Sequence, residues 1–370
     1  MNYFEKTLIA RSREFIRSGA ALANGVSQRP VLISYHGDGD GCTSAFFLKR
    51  FLKEPLLFYW VATPDFDFEE AENFIATQRP VLTIFLDMPV YNRPSMVKTL
   101  TDQGTKVLIY DHHYSGRTSI FRERDSNLLY INPLTASGGR AYPTCLFGWE
   151  LLPEKTLVER AVLYMGLYTE TWLEQVPLFQ DFPPHLQKDL NEIAKRIHSS
   201  FLVQEAGTIH PALDFLSRFP LSPSSMQIPP CDFQEYQALA DRYTLIHDEK
   251  AVLMRNVETS IRTLREREFI LAGIETKFRL CGLIASDLRW KHHRMVVGVW
   301  QRWKDRLICE LRRGLECPVN LASLVEKIRA EIPLLTGGGH PEAAAFVGIE
   351  DHFFAALKKL KELLNTPFEQ

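Results

Sequence analysis

The sequence VLISYHGDGDGCTS, residues 31–44, joins an apolar run to a turn rich in glycine and carboxylates. Val31 to Tyr35 has the composition of a strand that is buried on both faces, and the closing threonine and serine favour a helix start. His36, Asp38 and Asp40 alternate directly after this strand, as metal ligands can. Taken alone, the stretch is equally compatible with an acidic turn whose residues suit its backbone geometry.

The first half of the chain repeats this strand-then-helix order. Buried apolar runs that alternate with helical patterns predict right-handed crossovers and a mostly parallel sheet with helices on both faces. The predicted strands are Val31 to Tyr35, Leu57 to Val61, Val81 to Leu86 and Lys106 to Tyr110, and the helices are Ser44 to Lys53, Phe66 to Ala76 and Tyr91 to Asp102. The fold class is therefore α/β.

Two further predicted strands end in polar residues. Asp87 follows one, and Asp111, His112 and His113 follow another. Because the carboxyl ends of parallel strands share one edge of a sheet, these residues and those after the first strand should converge in one crevice. So many carboxylates and imidazoles repel one another or lose hydration unless cations lie between them. The sequence thus predicts a metal site.

The second half predicts a smaller α/β domain. Its proline-rich stretch, Phe215 to Pro230, is typical of an irregular connector. We expect domains at 1–214 and 266–370, with 215–265 as linker and connecting helix. Before the connector, the predicted helices are Glu154 to Trp172 and His185 to Ile197. After it, the predicted helices are Gln234 to Arg265, Leu321 to Ile332 and one from Asp351, and the strand-like runs are Phe278 to Ala285, Met295 to Trp300 and Leu307 to Leu311.

Composition excludes several classes of protein. The 370 residues are 45% hydrophobic and 24% charged, which is typical of packed globular domains and not of disorder. The net charge of -2 argues against bulk electrostatic coating of long nucleic acid. Six scattered cysteines form no CxxC pair, and the first 20 residues lack a signal-peptide pattern. We expect a cytoplasmic protein with no membrane partner.

These strand-end motifs resemble the DHH phosphoesterase superfamily, which includes RecJ-like nucleases, nanoRNases and cyclic-dinucleotide phosphodiesterases. A second signature agrees: Thr336 to Phe346, TGGGHPEAAAF, resembles the GGGH motif of the DHH-associated domain. Glu310-Leu311-Arg312 resembles the strand arginine that precedes that motif. The resemblance spans most of the chain and implies a bilobal phosphoesterase.

The resemblance also implies roles for individual residues. Asp87 would bridge two metal ions, and Asp111 and His113 would act beside the phosphate as supporting carboxylate and catalytic histidine. The implied metal ligands are His36, Asp38, Asp40, Asp87, His112 and Glu170. Mixed imidazole and carboxylate ligation favours two Mn²⁺ ions, with Mg²⁺ as an alternative and Zn²⁺ disfavoured in so oxygen-rich a site. Such ions would activate a water for displacement at phosphorus.

Glu170 is a departure from the family pattern. The fourth motif normally supplies an aspartate after a glycine, whereas Gly166 to Thr171 offers Glu170 instead. The longer side chain predicts either altered geometry or a weaker second metal. The alternative is an ordinary glutamate on a helix surface.

Substrate contacts are expected mainly in the second domain. Glycines allow close backbone approach to a phosphate, and arginine and histidine can pair with it. The implied substrate-binding residues are Arg312, Gly337, Gly338, Gly339, His340 and, from the polar loop Ser137 to Arg140, Arg140. Without the first domain, the triple glycine would be only a flexible loop.

We expect short linear substrates, dinucleotides or oligoribonucleotides of a few residues, cut to mononucleotides. The expectation rests on the slightly negative charge and on the little room for further nucleic-acid-binding domains. A RecJ-like exonuclease acting on single-stranded ends is the first alternative, because His36 stands two residues before Asp38 as in those members. A cyclic-dinucleotide phosphodiesterase, or a catalytically weakened nucleotide-binding protein, remains open, as does a homodimer.

Overall fold

The structure is a computed structural model that describes residues 4–23, 29–52, 55–62, 68–113, 125–136, 140–203, 206–208, 210–222, 226–228, 234–262 and 269–365. The chain forms two compact units. The first unit comprises Met1–Phe201 and Glu205–Tyr243, and the second comprises Leu202–Gln204 and Thr244–Gln370.

The first unit alternates strands with helices, as the apolar runs predict. Its strands are β1 (Val31–His36), β2 (Leu56–Val61), β3 (Leu82–Leu86), β4 (Lys106–Tyr110) and β5 (Leu128–Ile131). Its helices are α1 (Lys6–Ala23), α2 (Gly39–Leu52), α3 (Phe68–Gln78), α4 (Pro94–Asp102), α5 (Pro133–Ala136), α6 (Thr144–Leu151), α7 (Leu157–Thr169), α8 (Pro184–Ser199) and α9 (Pro211–Ser217). The long helix α10 (Gln234–Arg262) contains the division between the units.

The five strands of the first unit form one parallel sheet in the order β2-β1-β3-β4-β5. The register aligns Tyr35 with Leu86 and Leu86 with Tyr110. The residues that follow these three along the chain, His36, Asp87 and Asp111, therefore lie at the same edge of the sheet. The predicted α/β class and parallel sheet are confirmed, and the register fixes which side chains meet.

Helices cover both faces of this sheet. On one face, Leu32, Phe85 and Ile109 pack in a buried cluster with side chains of α3 and α4 such as Ile75 and Val97. Alternate residues point the other way: Leu82 lies against Gly19 of α1, which is close enough that an added Cβ would lie 3.1 Å from its side chain. Burial on both faces explains the continuous apolar runs of the strands.

The second unit contains a mixed sheet in the order β6-β7-β8-β10-β9, in which only β6 and β7 are parallel. Its strands are β6 (Phe269–Ile274), β7 (Val296–Trp303), β8 (Arg306–Arg313), β9 (Thr336–His340) and β10 (Ala343–Gly348). Its helices, besides part of α10, are α11 (Cys281–Arg289), α12 (Leu321–Glu331) and α13 (Glu350–Asn365). Its hydrophobic core contains the fully buried side chains of Leu311, Val325 and Phe353.

The glycine run 337–339 does not form a loop. It is strand β9, which pairs antiparallel with β10. Gly337 and Gly339 have φ of 150° and 144°, and an added Cβ at either would lie 2.3 Å from a carbonyl oxygen of β10. The glycines are therefore required by close strand pairing, which a sequence without apolar alternation does not reveal.

Phe278 to Ala285 is also not a strand. It leads into helix α11, whose buried residues Cys281, Ile284, Ala285 and Leu288 follow helical spacing. The apolar character of the segment is evident from sequence, but the positions that are buried in the structure recur with the period of a helix. The stretch predicted as a connector, 215–230, contains the end of α9 and an isolated bridge between Ser222 and Gln227. Among the described residues, no helix is long and apolar enough to cross a membrane.

Candidate metal centre

Three neighbouring strand ends place the first set of polar side chains. His36 is the last residue of β1, Asp87 follows β3, and Asp111 follows β4. The backbone N–H of Asp87 donates to the carbonyl of Tyr110 at 3.0 Å, so the sheet hydrogen bonding continues past the strand end. The strands therefore hold these residues side by side without help from a loop.

Asp87 lies at the centre of this edge. Its Oδ2 is 3.3 Å from His36 Nδ1 and its Oδ1 is 3.1 Å from His112 Nε2. Burial raises the pKa of Asp87, but the hydrogen bonds from His112 and His36 outweigh burial and hold the pKa well below its usual range. Its φ of 58° is left-handed, a backbone strain of the kind found at functional sites.

The turn after β1 positions Asp38. Its Oδ1 accepts a hydrogen bond from the backbone N–H of Gly41 at 2.9 Å, which caps the start of α2, while its Oδ2 lies 3.3 Å from His36 Nδ1. A Cβ at position 41 would lie 1.9 Å from the carbonyl oxygen of His36. Only glycine allows a turn this tight, and the tightness brings Asp38 back over the end of the strand.

Asp40 is fully buried and connects α2 to α6. Its two oxygens accept hydrogen bonds from the backbone N–H groups of Thr144 and Cys145, at 2.7 and 2.8 Å. Oδ2 also lies 3.8 Å from His112 Nε2. Burial and the negative charge of Asp87 raise the pKa of Asp40 to about 6. A neighbouring cation would favour the ionised form and so offset this cost.

His113 is oriented by Asp111. His113 Nδ1 donates to Asp111 Oδ1 at 2.7 Å, and the carbonyl of His113 accepts from Asn132 Nδ2 at 3.0 Å. Burial lowers the pKa of His113, but the charge of Asp111 outweighs burial and raises it. The imidazole is 28% exposed whereas the Asp111 side chain is fully buried. A buried carboxylate thus holds an accessible imidazole in a fixed orientation.

The donor atoms of this cluster suit divalent cations. In the first unit, Asp87 belongs to three groups of possible ligands, and within each group the ligand atoms lie within 4.8 Å of one another. The other members are His36 and Asp38 in one group, Asp40 and His112 in the second, and Asp111 and His113 in the third. His36 Nε2 and Asp111 Oδ2 are buried, and neither has a hydrogen-bond partner among the described residues. Oxygen and imidazole donors in this proportion fit Mn²⁺ or Mg²⁺. The predicted residues therefore fit a metal centre.

Glu170 lies near this cluster but in none of the three ligand groups. It is half-buried, directly after α7. Burial and the charge of Asp40 raise the pKa of Glu170 well above its usual range, and its own charge contributes to the raised pKa of His112. Glu170 thus belongs to the electrostatics of the centre, and its role as a ligand stays a prediction.

Arg140 is exposed, and its carbonyl accepts from the N–H of Tyr142 shortly before α6. The preceding residues of the predicted polar loop, 137–139, lie outside the described residues. Contact between Arg140 and a substrate stays a prediction.

The other predicted substrate residues belong to the second unit. Arg312 lies on β8, where Nη1 donates to Glu310 Oε2 at 3.1 Å and Nε donates to Ser286 Oγ at 3.1 Å. Gly337, Gly338, Gly339 and His340 lie on β9. The structure thus places Arg312 in a network of side chains, and the glycines in a strand.

His210 is a residue of the site region that sequence analysis missed. It is buried, its ring meets Trp60 edge-on at 4.5 Å, and a Cβ at Gly37 would lie 3.2 Å from its Nε2. Burial and the charge of Arg242 lower the pKa of His210 to about 3, so the imidazole is neutral. It therefore supports the turn from beneath. Its sequence context, a histidine before Pro211, carries no motif.

Comparison with known proteins agrees with this geometry. Residues 30–155 match the family model described as DHH family, N-terminal domain. The matched residues include both motifs that supply Asp87 and the first-strand carboxylates. Residues 30–155 are therefore a DHH-family N-terminal domain. A search of curated proteins gave no significant match.

Solved structures share the fold over nearly the whole chain. The structure of the DHH domain of a member of the s1p family of ribosomal proteins superposes with a TM-score of 0.69 at 15% identity. The alignment covers 98% of this chain and 92% of that one. RecJ from Thermus thermophilus in complex with Mn²⁺ has a TM-score of 0.66 and 17% identity. The alignment covers 96% of this chain and 55% of the Thermus chain. The structure of an exonuclease RecJ bound to manganese has a TM-score of 0.60 and 19% identity, and the alignment covers 95% of each chain. This chain thus spans about half of the Thermus protein.

Proposed function

We propose that this protein is a metal-dependent phosphodiesterase that hydrolyses short linear oligonucleotides or dinucleotides to mononucleotides. The observation that carries the proposal is the position of Asp87, one buried carboxylate common to three ligand groups. A carboxylate in that position can bridge two cations and fix their separation. The match of residues 30–155 to the DHH family supports phosphoester hydrolysis as the reaction class.

We assign two Mn²⁺ ions to the centre, held by His36, Asp38, Asp40, Asp87 and His112, with Mg²⁺ as the alternative. Both RecJ structures named above hold Mn²⁺, which supports this choice for a shared fold. When bound, the ions supply positive charge beside the phosphorus and lower the pKa of a water molecule.

Asp111 and His113 have a separate task in this proposal. His113 Nδ1 donates to Asp111, and we assign its Nε2 to the substrate. The negative charge of Asp111 favours the protonated imidazole, whose Nε2 can donate to a non-bridging phosphate oxygen. Charge that develops on that oxygen during displacement strengthens this hydrogen bond.

The substrate length follows from charge. A net charge of -2 argues against affinity that is gained from contacts with many phosphates. A few fixed groups such as Arg312 then supply most of the binding energy. The second candidate is a RecJ-like exonuclease on single-stranded ends, which the two-residue separation of His36 and Asp38 favours.

Product chromatography tests the proposal. The protein is incubated with Mn²⁺ and a panel of di-, tetra- and longer oligonucleotides, alongside cyclic dinucleotides. We expect mononucleotides from the shortest linear substrates first. Faster turnover of long single strands would favour the exonuclease, and absence of any metal-dependent hydrolysis would contradict both candidates.

A further inference from the structure

The end of α11 in the second unit carries three side chains of different chemistry: Ser286 and Arg289 lie on the helix, and Trp290 is its C-cap. Ser286, Arg289 and Trp290 stand at positions i, i+3 and i+4, a spacing that puts them on the same side of a helix. The hydrogen bond between Ser286 Oγ and Arg312 Nε shows that this side meets β8. The end of the helix therefore places Arg289 near the strand arginine Arg312, with Trp290 next to Arg289.

Arg312 is held in one orientation. Besides Ser286, its guanidinium donates to Glu310 and to the carbonyl of Leu311, at 3.1 and 2.9 Å. Glu310 is itself 7% exposed and also accepts from Arg279 at 2.7 Å. A side chain fixed at several points loses little further entropy when it binds an anion. Arg312 is therefore preorganised.

Arg289 brings a second guanidinium to this position. Its Nε is buried and has no hydrogen-bond partner among the described residues. Burial and the nearby charge of Arg312 lower the pKa of Arg289, so the two cations repel each other. Glu342 partly offsets this repulsion, but its carboxylate pairs with Arg313. Two guanidinium groups with an unused buried donor favour an anion between them.

Trp290 supplies an aromatic surface next to these cations. Its side chain is 51% exposed, and the guanidinium carbon of Arg289 lies 4.8 Å from the ring centroid. Exposed tryptophan is uncommon, and indole rings are good stacking surfaces for nucleobases. Phosphate-binding and base-stacking groups therefore lie on adjacent residues.

We propose that Arg289, Arg312 and Trp290 form a binding site for one nucleoside monophosphate unit, with the phosphate between the guanidinium groups and the base on the indole. The site rests on the proposed function, because it would hold one nucleotide of the substrate. It adds two residues, Arg289 and Trp290, to the arginine expected from sequence, and it makes the base a contributor to affinity.

The test measures binding without turnover. Full-length protein in excess EDTA is titrated with AMP and with ribose 5-phosphate, which lacks the base, by calorimetry or ligand-observed NMR. We expect AMP to bind more tightly. Trp290→Ala should weaken AMP binding by about 5- to 150-fold and leave ribose 5-phosphate binding unchanged, whereas Trp290→Phe should retain most AMP affinity. Arg289→Gln should weaken both ligands.

Phe354→Ala is the matched control, because Phe354 is another exposed aromatic residue of the second unit, at 43%. It should leave both affinities unchanged. The proposed site would be refuted if the unaltered protein bound AMP and ribose 5-phosphate with equal affinity. It would also be refuted if Trp290→Ala bound AMP as tightly as the unaltered protein. Since turnover with Mn²⁺ is measured separately, hydrolysis that persists alongside such a result would leave the proposed function standing.

Discussion

Asp87 Oδ1 lies 3.1 Å from His112 Nε2, while the other oxygen of the same carboxylate lies 3.3 Å from His36 Nδ1. One side chain thus connects imidazoles at the ends of two different strands of the sheet. Removing its charge should affect all three ligand groups at once, because Asp87 is common to them.

The first prediction concerns Asp87→Asn. Asparagine tolerates the left-handed backbone of this position, so the fold should survive. Loss of the bridging charge should lower kcat with Mn²⁺ by about 10³-fold or more, since metal ions contribute several kcal/mol to phosphoryl displacement. Steady-state kinetics on a dinucleotide measures the effect. Asp102→Asn, at an exposed carboxylate paired with Lys98, is the control. Undiminished turnover by Asp87→Asn, or in excess chelator, would refute the metal assignment.

Glu170 gives a second prediction. If it binds a metal ion, Glu170→Gln should weaken Mn²⁺ binding and reduce turnover about tenfold or more, while Glu170→Asp should keep substantial activity. Calorimetric titration with Mn²⁺ and kinetics at saturating metal separate the two effects. Near wild-type values for Glu170→Gln would assign the residue to the electrostatic surroundings of the centre and require a different ligand.

The third prediction separates short from long substrates. If Arg312 holds one phosphate, kcat/KM should peak at two to a few nucleotides and decline with length. Arg312→Lys keeps a positive charge beside Glu310 but loses the planar fork, and it should raise KM by about tenfold or more. Arg302→Lys, at an exposed pair with Glu350, should not. Affinity that rises with length and falls steeply with salt would instead identify a processive exonuclease.

Glu310 yields a prediction on stability and pH. Burial raises its pKa, but Arg312 and Arg279 outweigh burial and lower it. A carboxyl group whose pKa is lowered by folding stabilises the folded state at a pH above its ordinary pKa, near 4.5 for Glu310. That stabilisation is lost as the pH falls through the lowered pKa.

We therefore expect Glu310→Gln to destabilise the second unit at pH 7 by about 2 kcal/mol, and the difference from wild type to narrow as pH falls below 4.5. Hydrogen exchange of the slowest amides in β8 measures it. A difference that stayed constant, or widened, in acid would show that the ion pairs do not stabilise this unit.

The parts of the fold that sequence predicted are those with a strong local pattern. β1, β3 and β4 are continuous apolar runs that end in polar residues, so the convergence of Asp87 with the residues after β1 followed from sheet topology alone. By contrast, α11 was misassigned because a short apolar run fits either period. β9 was missed because three glycines carry no pattern at all.

Contacts between distant residues were not predictable in the same way. The hydrogen bonds that Asp40 accepts from the start of α6 join residues more than one hundred positions apart. His210 reaches the turn beneath Gly37 only because the chain returns to it after α8. Such partners depend on tertiary packing, which neither spacing nor composition records.

The hydrogen bonds of Asp40 give the metal centre an internal reporter. The amide protons of Thr144 and Cys145 point at a carboxylate whose charge depends on its surroundings, so the first turn of α6 is electrostatically coupled to the sheet edge. A cation that keeps Asp40 ionised should shift these two amide resonances downfield and slow their exchange. Metal occupancy can then be followed at the backbone of α6, by NMR, without any substrate.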